Sequence, residues 1–321
     1  MPILNINAKS EYHLHLDGSV TERMYRRISE ETGQKIPEDF KSRMKYDSTS
    51  GTLVDYLKCF ELPLSFMQSP ENVRYCIMAL QEDLVNEGIN YAEIRFAPQL
   101  HLARDEYGKA KHSQMEVVQA ACEGLEYGAL MGIETKLILC MMRGGNDKDN
   151  EETVDAANEF LGKGVVMLDL AGDEAGYPVE IYTDLFKFAS QNNIPFTIHA
   201  GEAAGPESIE NALKLGAKRI GHGLAAAEDK TLMKYLAEHK IMLEMCPTSN
   251  IQTGAVKRLA LALNNNCPAI DNMTNDELFY EYYPLRKYIE AGIDITINTD
   301  NRVVSDTILK NEFELIKKFG Y

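Results

Sequence analysis

The sequence has no cluster of lysine and arginine, no CxxC pair and no apolar run near the roughly 20 residues of a membrane span. Lys and Arg number 33 against 49 Asp and Glu, for a net charge of −16. Without a positive patch, neither a nucleic-acid surface nor an anionic membrane surface is expected as a partner. A small neutral ligand is not excluded. The six cysteines, at positions 59, 76, 122, 140, 246 and 267, lie mostly in apolar surroundings without metal-site spacing. They read as buried free thiols in a reducing compartment. Met1–Asn7 lacks a charged segment followed by an apolar core, so no signal peptide is expected and the expected location is cytoplasmic. No internal repeat or low-complexity segment is evident.

What is present is a soluble-protein composition, 45% hydrophobic and 26% charged over 321 residues. That length fits two domains or one large α/β barrel. Ser10–Leu16 alternates polar and apolar residues as a strand, which puts His13 and His15 on one face. Residues 21–88 then read as mostly helical, placed to act as a lid over the first strand's exit. Ser69-Pro70-Glu71 is a helix start and Gly88 a stop.

From there strands and helices alternate. Strands are expected over 91–96, 135–141, 165–170, 196–199, 219–222, 241–245 and 293–298. Helices are expected near 114–131, 151–161, 179–191, 206–215, 228–239, 284–291 and 305–319. The acid-rich 146–155 suits a helix start on a solvated face. The Asn-rich 263–276 reads as a surface loop. Eight strands, nearly all followed by helices, predict a (β/α)8 TIM-type barrel, one domain over 1–321 with a helical excursion between its first two strands.

Active sites of such barrels lie at the C-terminal strand ends. Four of the seven histidines fall there: His13, His15, His199 and His222. Glu202 follows the fifth strand, Asp300 the eighth, and Gly172 lies just past the fourth. His101, His112 and His239 lie elsewhere and read as structural or surface residues. One buried histidine is usually a satisfied core residue. Four with two carboxylates at one rim would leave costly unpaired polar groups unless something held them. Three imidazoles and a carboxylate suit a catalytic zinc with an open position.

Six motifs in order, His13-Leu-His-Leu-Asp-Gly, Leu170-Ala-Gly-Asp-Glu, His199-Ala-Gly-Glu, Gly221-His-Gly, Cys246-Pro-Thr-Ser and Asn298-Thr-Asp, resemble those of the adenosine deaminases of the metal-dependent amidohydrolase superfamily. The resemblance spans residues 13 to about 306, nearly the whole chain. It implies one zinc ion held by His13, His15, His199 and Asp300, and hydrolytic deamination of adenosine and 2′-deoxyadenosine at C6. Glu202 would protonate N1, His222 would hold the attacking hydroxyl, and Asp300 would take up or orient its proton. Gly172 would bind purine N3 through its backbone. Asp17, with His15 nearby, would bind a ribose hydroxyl.

Asp17 also has a plain alternative as the cap of the next helix. Relatives acting on adenine or aminofutalosine usually carry glutamate there. Two positions depart from the family pattern. Asn301 replaces an aspartate that donates to purine N7, and its amide can donate without protonation. Tyr283 replaces a histidine before Pro-Leu-Arg. No lysine ends the fourth strand, where binuclear relatives carry a bridging one, so a single metal is expected. The HxE and PCxxC pattern of cytidine-deaminase sites is absent. Two readings compete with adenosine as substrate: another 6-aminopurine such as adenine, and a non-catalytic purine-binding barrel.

Overall fold

In the computed structural model, which describes residues 7–46 and 52–320, parallel strands alternate with helices along the chain. The strands are β1 (Ser10–His15), β2 (Tyr91–Phe96), β3 (Glu134–Met142), β4 (Val165–Ala171), β5 (Thr197–Ala200), β6 (Arg219–His222), β7 (Met242–Met245) and β8 (Ile295–Ile297). They pair in sequence order within two four-stranded parallel sheets, β1–β4 and β5–β8. Two bridges join the sheets. Leu168 pairs with Phe196 between β4 and β5, and Leu14 pairs with Asp300 beyond β8. The ring therefore closes as the (β/α)8 barrel that the strand count predicts.

Short strands buried on both faces are what helices outside and side chains inside require. Leu137, Ile138, Leu139, Cys140 and Met141 of β3 are all buried. The interior is not purely aliphatic, however. Arg95, Asp169, Glu244 and Glu11 are fully buried among the strands.

Between β1 and β2 run helices 22–32, 40–43, 53–57, 61–66 and 70–86. The last starts as expected: Ser69 accepts a hydrogen bond from the Asn72 N–H, with Pro70 in the first turn. Gly88 follows its end at φ +80°. The region around 179–191 divides into a 3-10 turn (Val179–Tyr182) and a helix (Thr183–Gln191). The final helix begins at Leu309 rather than near 305.

The expected loop 263–276 is more ordered than its composition implies. It holds a 3-10 turn (Pro268–Asn272), and a helix starts at Asn275. Thr274 and Glu277 form its capping box, a Thr-x-x-Glu signal at the loop's edge. Two helices before it, Pro247–Gln252 and Ala255–Leu263, were not expected from the pattern.

Glu312 fastens the last helix to the barrel. It is fully buried and accepts hydrogen bonds from the Thr248 N–H and the Thr307 hydroxyl. Burial, reinforced by the charge of Glu11, pushes its carboxyl up to about 7 from 4.5. A folded-state value above the unfolded one contributes stability that is whole below 4.5 and lost as pH rises through about 7. Glu312→Gln resembles the protonated acid and cannot ionise. Urea unfolding should therefore show the variant gaining on the parent, on the order of 2 kcal/mol, between about pH 5 and about pH 8. A constant difference across that range would contradict the assignment.

Candidate active site

The C-terminal strand ends bring the expected residues to one rim. His13, His199, His222 and Asp300 are buried, and His15 is nearly so. Their imidazoles crowd together, with the His13 ring centroid 4.6 Å from that of His199 and 4.9 Å from that of His222. Asp300 is fixed by the barrel seam: its N–H donates to the His13 carbonyl at 3.0 Å, and its own carbonyl accepts from the His15 N–H at 2.7 Å. His222 and Asp300 both hold φ at +61°, a left-handed conformation that non-glycine residues rarely adopt.

The polar neighbours decide which imidazole nitrogens keep a lone pair. His13 Nδ1 lies 2.9 Å from Glu244 Oε2, and His199 Nδ1 lies 2.9 Å from Asp169 Oδ2. Burial opposes ionisation of both acids. Arg95 and Arg219 hold the Glu244 carboxyl far below its usual range, and His199 and Arg95 do the same for Asp169. Both carboxylates are therefore acceptors, each Nδ1 is the donor, and Nε2 is left with a lone pair. His13 Nε2 is buried with no hydrogen-bond partner among the described residues.

His222 has the opposite arrangement. Asn250 Nδ2 lies 2.9 Å from its Nδ1, and the Tyr283 hydroxyl donates to Asn250 Oδ1 at 3.5 Å, which orients the amide. Nδ1 accepts, so a neutral His222 carries its proton on Nε2. Burial holds His222 neutral, well below the usual imidazole range. Tyr283 thus acts on His222 from two hydrogen bonds away.

A metal ion fits this donor set. His13, His199, His222 and Asp300 each offer an atom within 4.8 Å of the others. An Nε2–H has no lone pair to give, however, and His15 is the better fourth member. His15 Nε2 is 3.3 Å from both His199 Nε2 and Asp300 Oδ1, and His13 Nε2 is 3.3 Å from Asp300 Oδ1. Atoms about 2.0–2.1 Å from one tetrahedral ion lie about 3.3 Å apart. Asp300 is suited to ligation. Burial works against its charge, but the surrounding imidazoles of His13, His15 and His222 keep the carboxyl well below its usual range. Ser249 Oγ donates to its other oxygen at 2.6 Å.

Glu202 stands opposite this cluster. Its Oε2 is 3.5 Å from His222 Nε2, and its Oε1 accepts from the Thr253 hydroxyl at 2.8 Å. Burial, with Asp300 adding repulsion, pushes the carboxyl up to about 8. At neutral pH it is a neutral acid whose free oxygen faces the cavity. The turn that carries it is held by one carboxylate. Glu174 accepts from the backbone N–H groups of Gly201, Glu202, Ala203 and Ala204 at 2.6, 3.0, 2.7 and 3.1 Å. Gly201 sits at φ +74°, and a Cβ there would meet Ile209 Cδ1 at 2.5 Å, so glycine is required.

A cavity of about 200 Å³ joins these groups to Asp17, Gly172 and Asn301. Leu53, Tyr56 and Phe60, from the segment between β1 and β2, also line it. Asp17 does not cap the next helix, whose N-cap is Thr21. Asp17 Oδ1 instead accepts from the Gly18 N–H at 3.1 Å, and burial pushes its carboxyl up to about 7. Asn301 lies against Gly18, where a Cβ would come within 2.0 Å of its Oδ1. His101 is buried but does not line the cavity, and its Nδ1 lies 3.0 Å from the Met67 carbonyl.

Sequence reasoning missed Asp169, Glu244, Arg95, Asn250, Thr253 and Glu174. Glu174 alone had a signal, as the last residue of the Leu170-Ala-Gly-Asp-Glu motif.

Comparison with known proteins gives a consistent picture. A family model described as Adenosine deaminase matches residues 8–321. An adenosine deaminase of Haemophilus ducreyi is 39% identical over 316 residues, covering 95% of this chain and 84% of that protein. Solved structures share the fold. A Burkholderia ambifaria amidohydrolase with bound zinc superposes with a TM-score of 0.80 at 19% identity, over 100% of this chain and 85% of that one. The adenine deaminase of Arthrobacter aurescens gives 0.77 at 21% identity, over 97% and 88%.

Proposed function

Because the chain belongs to the adenosine deaminase family, we propose that it hydrolyses adenosine and 2′-deoxyadenosine to inosine and 2′-deoxyinosine, releasing ammonia, with one zinc ion held by His13, His15, His199 and Asp300. The observation that carries this reading is a buried carboxyl, Glu202, sharing one small cavity with His15, His199, His222 and Asp300. When bound there, zinc would lower the pKa of a coordinated water to about 7.

The chain's own residues supply the rest. Glu202 passes its proton to purine N1, which breaks the ring's aromaticity and makes C6 electrophilic. The Nε2–H of His222 donates to the attacking oxygen and stabilises charge as C6 becomes tetrahedral. Ionised Asp300 takes the proton that the water loses and returns it to the leaving amine. Ammonia departs as C6=O forms, and the remaining hydroxyl proton lost in that step is the one that restores Glu202, so the balance closes with water consumed and ammonia released. Gly172 offers its N–H to N3, Asp17 and His15 hold the ribose, and the Asn301 amide donates to N7. The apolar wall of Leu53, Tyr56 and Phe60 supports the 21–88 excursion as a lid over a single barrel domain.

A nucleoside suits this cavity better than its phosphate ester, because no lysine or arginine is among the described residues lining it. Free adenine is the second reading, supported by the fold shared with an adenine deaminase. Asp17 argues against it, since a buried carboxyl left without a ribose hydroxyl is unfavourable. Initial rates with adenosine, 2′-deoxyadenosine and adenine decide between them. The nucleosides should exceed adenine in kcat/KM by at least ~10²-fold, and a preference for adenine would refute the assignment. Asn301→Asp should change kcat/KM by less than ~10-fold. Loss of nucleoside binding in that variant would contradict the N7 role. Among the described residues no helix is long and apolar enough to cross a membrane. With the cysteines free, we place the enzyme in the cytoplasm, in purine nucleoside salvage.

A further inference from the structure

Arg95 in β2 is one of the largest fully buried side chains, and it does not line the cavity. Its guanidinium nevertheless joins both carboxylates behind the metal-site histidines. Nη1 donates to Asp169 Oδ2 at 2.7 Å, and Nη2 donates to Glu244 Oε2 at 2.8 Å and to the Tyr12 carbonyl at 2.6 Å. Each of these carboxylate oxygens also faces an imidazole Nδ1 at 2.9 Å, Asp169 Oδ2 facing His199 and Glu244 Oε2 facing His13. Arg219 braces only the second acid, through Glu244 Oε1 at 2.7 Å, and is itself paired with Glu93.

We propose that Arg95 is the positioning residue of the metal site, a single rigid fork that sets the orientation and hydrogen-bonding state of His13 and His199 together. The inference rests on the metal reading above and deepens it. A guanidinium is planar and permanently charged, and its donors leave at fixed angles. Holding one oxygen of each carboxylate fixes where the acceptor for each Nδ1–H lies, and so fixes the direction of each Nε2 lone pair. The two rings come from β1 and β5, on opposite sheets of the barrel. Arg95 is bonded to both of their carboxylate partners, one on β4 and one on β7, and so ties the two halves of the site to one frame. Acid partners behind metal-bound imidazoles tune affinity, typically by about 10–100-fold. Here one residue governs two such partners. A lysine, with one compact ammonium, can replace the charge but not the two-armed geometry.

The test uses the full chain as Arg95→Lys and Arg95→Met, stripped of metal. Zinc affinity is measured by competition with a chelator, and the visible absorption of the Co²⁺-loaded protein is recorded. Arg95→Met should bind zinc about 10–100-fold more weakly than the parent. Arg95→Lys should recover part of that loss, and the cobalt bands should shift in both. A merely structural role predicts no graded rescue and unshifted cobalt bands. If Arg95→Met fails to fold, Arg95→Lys decides, with weaker zinc binding in support and parental affinity against. Zinc affinity indistinguishable from the parent overturns the inference alone. A parent chain that binds no zinc overturns the metal reading and this inference with it.

Discussion

Glu202→Gln is expected to retain its metal, bind adenosine with little change in KM, and lose at least ~10²-fold in kcat. The amide is nearly isosteric with the protonated acid. The Thr253 hydroxyl, which donates to Oε1, should hold the carbonyl end in place and leave the NH₂ facing the purine. That NH₂ can donate a hydrogen bond to N1 but cannot surrender a proton, so the loss falls on the chemical step rather than on binding. The parent should also lose activity as pH rises through about 8, where the buried Glu202 carboxyl ionises. The variant has no such group, and its residual rate should lack that alkaline limb. Steady-state kinetics with metal analysis at several pH values checks both points. Near-parental kcat would rule out Glu202 as the proton donor.

Asp300→Ala should lose metal and activity together. Its carboxylate lies 3.3 Å from Nε2 of both His13 and His15, so its removal leaves three neutral imidazoles and no anionic ligand. It also removes the group that takes up the proton of water. Activity should fall by at least ~10⁴-fold, because a ligand and a base disappear at once. Metal analysis that still found one zinc per chain would contradict the ligand assignment, whatever the kinetics. The Ser249 hydroxyl, which donates to Asp300 Oδ2, should then have no ionic partner.

Local signals reached most of the fold. Tyr91–Phe96, Arg219–His222 and Gln114–Met131 read correctly at both ends, because turn residues and periodicity agree there. β8 is only Ile295–Ile297, shorter than the expected 293–298, because its pairing with β7 runs only from Ile295 to Ile297. The two helices of 247–263 follow short strand β7 with no capping side chain at their starts, and Pro247 in the first turn of the first is the one local mark of either.

The rim residues were legible because strand ends are marked by their chemistry. The residues behind them were not. His13 meets Glu244 231 positions away, and Arg95 meets Asp169 74 positions away. Each of those partners sits in a strand where a lone polar residue carries no sign of what it faces. The positive φ of His222 and Asp300 is likewise invisible until the seam between β8 and β1 is in place.

The most direct measurement is the ultraviolet absorbance of adenosine incubated with the protein, before and after a chelator and after zinc is returned. Conversion to inosine with release of ammonia, abolished by metal removal and restored by zinc, is the predicted result. Undiminished turnover by metal-stripped protein, or no turnover by the zinc-loaded chain, would contradict the account.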